Sequence, residues 1–216
     1  MMAPMVTPFT ETGVSGFLHR PDAAERGLIL THGAGSNCEA PLLIAAATAF
    51  DAAGFCVLRC DLAFRQQQRS GPPRGTAAAD REGLRHAVAA MRGIVRGSVF
   101  LGGHSYGGRQ ASMLAAEEPS LIEALLLLSY PLHPPKKPAQ LRTEHFPRLR
   151  TRAVFVHGTK DAFGTIAELE AALSLISATA RLIAIEGAGH DLRRGRFDFT
   201  SAVEALADGS GVKPRP

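Results

Sequence analysis

The chain has 216 residues, enough for one domain with a sizeable core, and its 45% hydrophobic and 20% charged content is typical of globular proteins. The formal net charge of +4 is compatible with a nucleic-acid partner, but no zinc-finger spacing or aromatic-interleaved basic motif accompanies it. No apolar run reaches the roughly 18 to 20 residues that cross a bilayer. We therefore expect neither nucleic acid nor a membrane as a partner.

The N-terminal segment and the cysteines indicate a cytoplasmic protein. Residues 1–12 contain no basic stretch, and their prolines and Glu11 interrupt any apolar segment of the kind found in secretory signals. The three cysteines, Cys38, Cys56 and Cys60, are odd in number and lack C-x-x-C spacing. This pattern favours buried thiols over a disulfide framework or a zinc site, with Cys56 and Cys60 on one strand.

Six short apolar runs predict the strands of a sheet. They are continuous rather than alternating, which is typical of strands buried on both faces of a parallel sheet. They occupy residues 27–31, 55–60, 98–103, 124–130, 153–158 and 181–187.

Segments with helical spacing separate these runs. One covers residues 39–53 and ends before Gly54, a second covers 76–92, and a third begins at Ile166 after the capping residue Thr165. Strands alternating with helices indicate an α/β fold with a doubly wound, mostly parallel sheet. We expect residues 1–208 to form a single domain and residues 209–216 to be a disordered tail.

Two basic, proline-rich loops interrupt this rhythm, at residues 65–75 and 133–147. Each follows the C-terminal end of a strand, and ligands bind at that edge of open α/β sheets. We therefore consider their exposed cations as substrate-binding candidates that could attract an anionic substrate. The alternative is an ordinary solvated rim. The candidates are Arg65, Arg69, Lys136 and Lys137.

A serine between glycines is the strongest functional signal. Gly103-His104-Ser105-Tyr106-Gly107 is a G-x-S-x-G motif that follows a predicted strand and opens a helix-forming stretch. This is the context of a nucleophile elbow, in which flanking glycines allow a turn sharp enough to present the serine hydroxyl. A glycine-rich turn with an incidental serine is the alternative.

Two later strand ends supply partners for Ser105. A serine hydroxyl needs a histidine to take its proton and an acid to orient that histidine. Asp161 follows the run 153–158, and His190 follows the run 181–187. The order serine, acid, histidine on one edge of the sheet predicts a Ser105–His190–Asp161 triad.

Neighbouring polar residues compete less well for these roles. Asp191 cannot easily reach the ring of the histidine beside it, and Asp61 is better placed to order a loop. His104 precedes the nucleophile and should point away into packing, while His32 and His157 should bond loop backbone.

Acyl transfer also requires two backbone donors for the developing oxyanion. Tyr106, which follows the nucleophile, supplies the first N–H group. We expect the second from the loop T-H-G-A-G-S-N at 31–37, with Ala34 the first candidate and Gly33 the next. A glycine turn that only joins a strand to a helix is the alternative.

With these motifs the chain resembles the α/β-hydrolase superfamily over residues 13–207, and more narrowly its small dienelactone-hydrolase-like branch. The resemblance rests on T-H-G-A-G-S-N, G-G-H-S-Y-G-G-R, S-Y-P-L-H-P-P-K-K-P with L-R-T-E-H-F, H-G-T-K-D-A-F-G and G-A-G-H-D-L. It implies a serine hydrolase with a minimal lid and no large cap domain, but no particular substrate. Ala162 departs from the branch, where proline often follows the acid, and this departure predicts a looser acid loop.

The expected activity is cleavage of an ester or related acyl bond in a small-molecule substrate, through an acyl-enzyme. This chemistry needs no metal and no organic cofactor. The branch also resembles hydrolase-fold subunits of larger assemblies, so an interaction subunit with little or no catalytic activity is the alternative. The sequence leaves the acyl group, the leaving group and the oligomeric state open.

Overall fold

The protein, seen in a computed structural model that describes residues 5–21, 24–193 and 197–207, is built on one eight-stranded sheet. The strands are β1 (Met5–Glu11), β2 (Val14–Arg20), β3 (Arg26–Thr31), β4 (Phe55–Cys60), β5 (Val99–His104), β6 (Ala124–Leu128), β7 (Arg152–Gly158) and β8 (Ala180–Ile185). The helices are α1 (Pro41–Ala52), α2 (Ala63–Gln67), α3 (Ala77–Ile94), α4 (Tyr106–Glu117), α5 (Ile166–Leu173) and α6 (Thr200–Ala207). A 3-10 helix covers Phe146–Arg148.

The sheet order is β1-β2-β4-β3-β5-β6-β7-β8. Strands β3 to β8 pair in parallel, while β2 runs antiparallel to both β1 and β4. This confirms the mostly parallel, doubly wound sheet. The strands β1 and β2 were not predicted, because neither carries a continuous apolar run: β1 is exposed on both faces, and β2 includes Ser15, His19 and Arg20.

Two hydrophobic cores lie on opposite faces of the sheet, and alternate residues of the strands β3 to β7 contribute to them. In β4, Cys56 and Leu58 belong to the core that includes Leu84 of α3, whereas Val57 belongs to the core that includes Phe50 of α1. Burial on both faces explains why the strands appear as continuous apolar runs. Cys56 and Cys60 lie on one strand as predicted, and all three cysteines are free and buried.

The predicted helices are present, with ends set by local chemistry. Helix α1 begins at Pro41 and ends at Ala52, and Gly54 follows at φ 83°. The Thr165 hydroxyl accepts a hydrogen bond from the Glu168 N–H, and the two residues form a capping box on α5. The sequence reading missed α6, and α2 occupies the start of the segment assigned to a basic loop.

The connection between β6 and β7 contains little regular secondary structure. In residues 129–151, all of them described, the 3-10 helix is the only helix, which fits the expected minimal lid. Among the described helices, none combines the length and the apolar character that a membrane span requires. The predicted tail, residues 209–216, lies outside the described residues.

Strand β5 and helix α4 approach other backbone so closely that only glycine fits. A Cβ atom on Gly107 would lie 2.5 Å from the carbonyl oxygen of His32 and 2.7 Å from Cγ2 of Thr31. The first turn of α4 therefore packs directly against the end of β3. This contact fixes where the residues around Ser105 lie relative to the loop after β3.

We predict that Gly107→Ala lowers the free energy of unfolding by about 1–3 kcal/mol, because backbone rather than a flexible side chain must move. Gly93, near the end of α3, is the matched control: no atom lies within 4 Å of its added Cβ. Gly93→Ala should raise the free energy of unfolding by up to about 1 kcal/mol through helix propensity. Chemical denaturation measures the free energy of unfolding of both variants. If the two substitutions changed that free energy equally and in the same direction, close packing at Gly107 would not be the cause.

Candidate active site

Ser105 occupies a strained turn between β5 and α4. Its backbone angles are φ 51° and ψ −116°, a conformation that costs a non-glycine residue about 1–3 kcal/mol. Its N–H donates to the Leu128 carbonyl at 2.9 Å, and its own carbonyl accepts from the Arg109 N–H at 3.0 Å. These bonds tie Ser105 to both the neighbouring strand and the helix that follows.

The structure brings Ser105, His190 and Asp161 into one hydrogen-bonded chain. The distance from His190 Nε2 to Ser105 Oγ is 2.8 Å, and that from His190 Nδ1 to Asp161 Oδ2 is 2.7 Å. When Nδ1 carries the ring proton and donates it to the carboxylate, Nε2 is left to accept the serine proton. The geometry therefore orients the imidazole as a base toward Ser105.

Asp161 is fixed from both of its oxygens. Its side chain is fully buried, Oδ2 faces His190, and Oδ1 accepts the Phe163 N–H at 2.9 Å. His157 holds the rest of this loop, because its Nε2 donates to the Gly164 carbonyl at 2.9 Å. These bonds fasten the acid loop although Ala162 stands where proline is common in the resembling branch.

Two aromatic rings hold His190: Phe163, for which the sequence predicted no role, and His104, which was expected to point away into packing. Phe163 stacks on the imidazole, with ring centroids 4.2 Å apart and an angle of 29° between the ring planes. His104 Nε2 lies 2.8 Å from the His190 carbonyl oxygen, so this nitrogen must carry a proton and donate it. Burial lowers the pKa of His104 to about 4, which keeps it neutral, and it contacts the His190 backbone rather than the serine.

The competing acids and bases have other partners. Asp191 is exposed, and its carboxylate lies 3.6 Å from Arg193 Nε. Asp61 Oδ1 accepts the Cys38 N–H at 2.7 Å, which is the loop-ordering role predicted for it. His32 Nε2 accepts the Leu62 N–H, so Nδ1 carries the proton and donates to the Gly33 carbonyl at 2.8 Å. Burial lowers the pKa of His32, in keeping with a neutral structural ring.

The loop after β3 lies beside Ser105. A Cβ atom on Gly33 would be 3.5 Å from the Ser105 Cβ, and the Gly33 carbonyl closes a turn by accepting the Ser36 N–H at 3.1 Å. Ala34 is the next residue of this turn. Tyr106 begins α4, whose first N–H groups have no partners within the helix. Of the residues proposed as oxyanion donors, Tyr106 and Gly33 thus lie beside Ser105, and Ala34 follows Gly33 in the same turn.

The side chain of Tyr106 joins α4 to the loop after β4. Its hydroxyl donates to Asp80 Oδ2 at 2.8 Å, while Asp80 Oδ1 accepts the Phe64 N–H at 3.0 Å. Burial and the Asp80 carboxylate both raise the pKa of the Tyr106 phenol. A neutral phenol therefore anchors Tyr106, the first residue of α4.

Arg65 does not belong to an exposed basic rim, and this corrects the sequence expectation. The residue is only 5% exposed. Its guanidinium donates to the carbonyls of Ala34 at 2.9 Å, Ser36 at 2.7 Å and Gly71 at 3.0 Å. The side chain is directed into main-chain carbonyls because it lies on α2, beneath the turn that carries Ala34.

The other three basic candidates are exposed: Arg69, Lys136 and Lys137. Within the part of the chain that the structure describes, no hydrogen bond or ion pair joins their side chains to Ser105, His190 or Asp161. The structure therefore brings the triad together and leaves these cations as surface side chains. Among the described residues as a whole, no group of three or more His, Cys, Asp and Glu side chains is placed to hold a metal ion.

We predict that Arg65→Gln lowers the free energy of unfolding by about 2–3 kcal/mol, because buried carbonyls lose a charged donor. Amide hydrogen exchange in residues 33–37 should accelerate. Arg69→Gln removes the same charge from an exposed position nearby and should change stability by less than about 0.5 kcal/mol. If Arg65→Gln changed neither the stability nor the amide exchange, Arg65 would not be a structural residue, and substrate binding would again be its candidate role.

Comparison with known proteins places this geometry in a family. The model of the alpha/beta hydrolase domain family matches residues 24–209. Dienelactone hydrolase from Anabaena variabilis is similar in structure, with a TM-score of 0.73, 22% identity, and 95% of this chain and 96% of that chain covered.

Two further solved structures share the fold. Est1E from Butyrivibrio proteoclasticus has a TM-score of 0.70 and 16% identity, with 94% of this chain and 96% of that one covered. An alpha-beta serine hydrolase homologue from Coxiella burnetii has a TM-score of 0.68 and 16% identity, with 95% of each chain covered. The family match spans most of the chain, and the strand order and elbow agree with it, so the chain belongs to the alpha/beta hydrolase domain family.

Proposed function

We propose that this protein is a serine hydrolase that cleaves an ester or a related acyl bond of a small molecule, with Ser105 as nucleophile. One observation carries the proposal: the continuous hydrogen-bonded chain from Ser105 Oγ through His190 to the buried Asp161 carboxylate. The solved structures that are named as a dienelactone hydrolase and as a serine hydrolase homologue share its fold and support the reaction class.

The first half of the reaction forms an acyl-enzyme. Ser105 Oγ attacks the acyl carbon while His190 Nε2 takes the hydroxyl proton, and the leaving group departs after His190 returns that proton to it. Asp161 stays ionised, keeps the ring proton on Nδ1 and balances the charge of the imidazolium. Because Asp161 is buried and bonded from both oxygens, His190 is held in one tautomer and one orientation.

The second half releases the acyl group. A water molecule takes the position of the leaving group, His190 removes its proton, and the resulting tetrahedral intermediate collapses to regenerate Ser105. The His190 side chain is 24% exposed, so solvent can reach the base without a movement of the fold. This access is consistent with a site that has only a minimal lid.

The N–H groups of Tyr106 and Ala34 are the proposed oxyanion donors. Oriented backbone donors stabilise the charge that develops on the acyl oxygen, and the loss of one such donor typically slows an enzyme about 100- to 1,000-fold. Asp80 anchors Tyr106, and Arg65 anchors the carbonyl of Ala34. Both donors thus rest on buried ionic groups, the Asp80 carboxylate and the Arg65 guanidinium.

An interaction subunit without catalysis is the competing function. Such a protein needs the fold but not the strained Ser105 backbone, the bonded His190 or the buried Asp161. The retention of all three in mutual contact supports the hydrolase. The exposure of the base also supports it, since a structural imidazole is more stable when fully packed.

We predict that Ser105→Ala reduces kcat/KM for p-nitrophenyl acetate by at least about 1,000-fold. Its melting temperature should stay within about 2 °C of the unsubstituted protein, because the hydroxyl contributes only its hydrogen bond to the partly exposed ring of His190. Ser112→Ala is the control on the same helix, and it should retain turnover. Activity of Ser105→Ala within tenfold of the unsubstituted protein would mean that another residue is the nucleophile.

We predict that Asp161→Asn lowers kcat by roughly 1,000- to 10,000-fold, because an amide there favours the wrong tautomer of His190. Asp191→Asn removes the neighbouring exposed carboxylate, and Asp61→Asn removes the one bonded to Cys38. Both should retain most of the activity under the same assay. A larger loss in Asp191→Asn than in Asp161→Asn would contradict the assignment of the acid.

A further inference from the structure

The ring of Phe163 is stacked on the proposed base. Its centroid lies 4.2 Å from that of the His190 imidazole, and the two planes are 29° apart, so the phenyl ring presents its face to the imidazole. The other ring beside His190 is that of His104, whose centroid is 5.1 Å away and whose plane is tilted by 49°. Of these two contacts, the one with Phe163 is thus the closer and the more nearly parallel.

The backbone of Phe163 is bonded in both directions. Its N–H donates to Asp161 Oδ1 at 2.9 Å, and its carbonyl accepts the His133 N–H at 3.0 Å. His133 belongs to the connection between β6 and β7, which therefore fastens the acid loop from outside. The next residue, Gly164, is held through its carbonyl by His157 Nε2. These bonds fix the point from which the Phe163 ring reaches His190.

Several titratable groups surround His190 and its acid. They are Asp161 on the acid loop, His104 at the end of β5, His157 on β7, and Asp191, the next residue in the chain. Burial lowers the pKa of His104 to about 4, so this ring carries no charge near neutral pH. His157 makes its hydrogen bond with the acid loop, and Asp191 is exposed. A positive charge on His190 is therefore faced by the bonded Asp161 carboxylate and by the Phe163 ring.

A stacked aromatic ring interacts more strongly with an imidazolium than with a neutral imidazole. The face of the ring carries negative charge, and a cation within about 6 Å of the centroid is attracted to it. In the proposed reaction His190 gains a positive charge when it takes the proton of Ser105, and again when it takes the proton of water. The attraction thus grows as each transition state is approached, which is the condition for an interaction to speed a reaction.

We infer that Phe163 is a positioning residue of the reaction, whose ring orients the His190 imidazole and stabilises the positive charge that the imidazole gains. The inference rests on the proposed hydrolase function and deepens it by adding a ring that acts through the base. Phe163 contacts the acid through its N–H and the base through its ring, so one residue joins both partners of Ser105.

The kinetic test compares Phe163→Leu, which removes the ring, with Phe163→Tyr, which keeps it. Phe163→Leu should lower kcat for p-nitrophenyl acetate by about 3- to 10-fold and change KM by less than about twofold. The acid limb of the kcat/KM profile should move to lower pH by about 0.3–0.7 units, because a less stabilised imidazolium forms only at lower pH. Phe163→Tyr should keep both values near those of the unsubstituted protein. A lower kcat with an unmoved acid limb would mean that the ring only packs, and the inference would be overturned.

A second substitution changes the charge on the face of the ring and keeps its shape. Pentafluorophenylalanine in place of Phe163 has a ring of similar size whose face is electron-poor. It should move the acid limb to lower pH by at least as much as Phe163→Leu does. An acid limb equal to that of the unsubstituted protein would overturn the electrostatic role of the ring.

Phe100→Leu is the matched control. Phe100 is buried in the core that includes Phe50 of α1, where it packs edge-on against Phe55 with centroids 5.6 Å apart. The substitution should lower the melting temperature and leave both kcat and the acid limb unchanged. A shift of the acid limb equal to that in Phe163→Leu would mean that lost stability alone moves the profile, and the inference would fail.

A titration without turnover separates this inference from the proposed function. Nitrogen-15 NMR of labelled histidine follows the His190 ring in the Ser105→Ala protein, with the signal assigned by its loss in His190→Gln. Adding Phe163→Leu should lower the midpoint of this titration by the same amount, about 0.3–0.7 pH units. A lower midpoint in a protein that turns over no ester would overturn the hydrolase and keep the stabilising stack. Turnover with an unchanged midpoint would do the reverse.

Discussion

The site depends on one backbone conformation, that of Ser105 between β5 and α4. At φ 51° and ψ −116° the chain reverses within one residue, and the hydroxyl is presented 2.8 Å from His190 Nε2. Such a conformation persists only when its surroundings over-determine it. Here the Ser105 N–H is bonded to Leu128, and Gly107 lets α4 lie against β3 without a side chain between them. Contacts with the strands β3 and β6 thus keep Ser105 in this strained conformation.

Buried ionic groups extend this constraint to the rest of the site. Asp80 and Arg65 are nearly inaccessible, and their hydrogen bonds end on the Phe64 N–H, the Tyr106 hydroxyl and the carbonyls of the Ala34 turn. Buried charges are tolerated when every bond is made, and they then fix the groups they contact.

The features predicted correctly from the sequence are those that local pattern determines. Continuous apolar runs identified β3 to β8, and the order of Ser105, Asp161 and His190 after successive strands predicted which side chains would meet. The missed features depend on distant contacts: β1 has no apolar run, and nothing beside Phe163 in the sequence indicates that its ring stacks on His190. Arg65 looked like a loop cation because composition cannot reveal that main-chain carbonyls from another loop surround it.

The identity of the nucleophile is the central claim, and covalent labelling tests it most directly. A fluorophosphonate reacts with a serine only when a base removes its proton and donors stabilise the oxyanion, so the reaction reports the assembled site rather than the fold. Peptide mapping by mass spectrometry locates the adduct on the full chain. The account predicts one adduct, on Ser105, and none after heat denaturation. An adduct on another residue, or none on the folded protein, would contradict it.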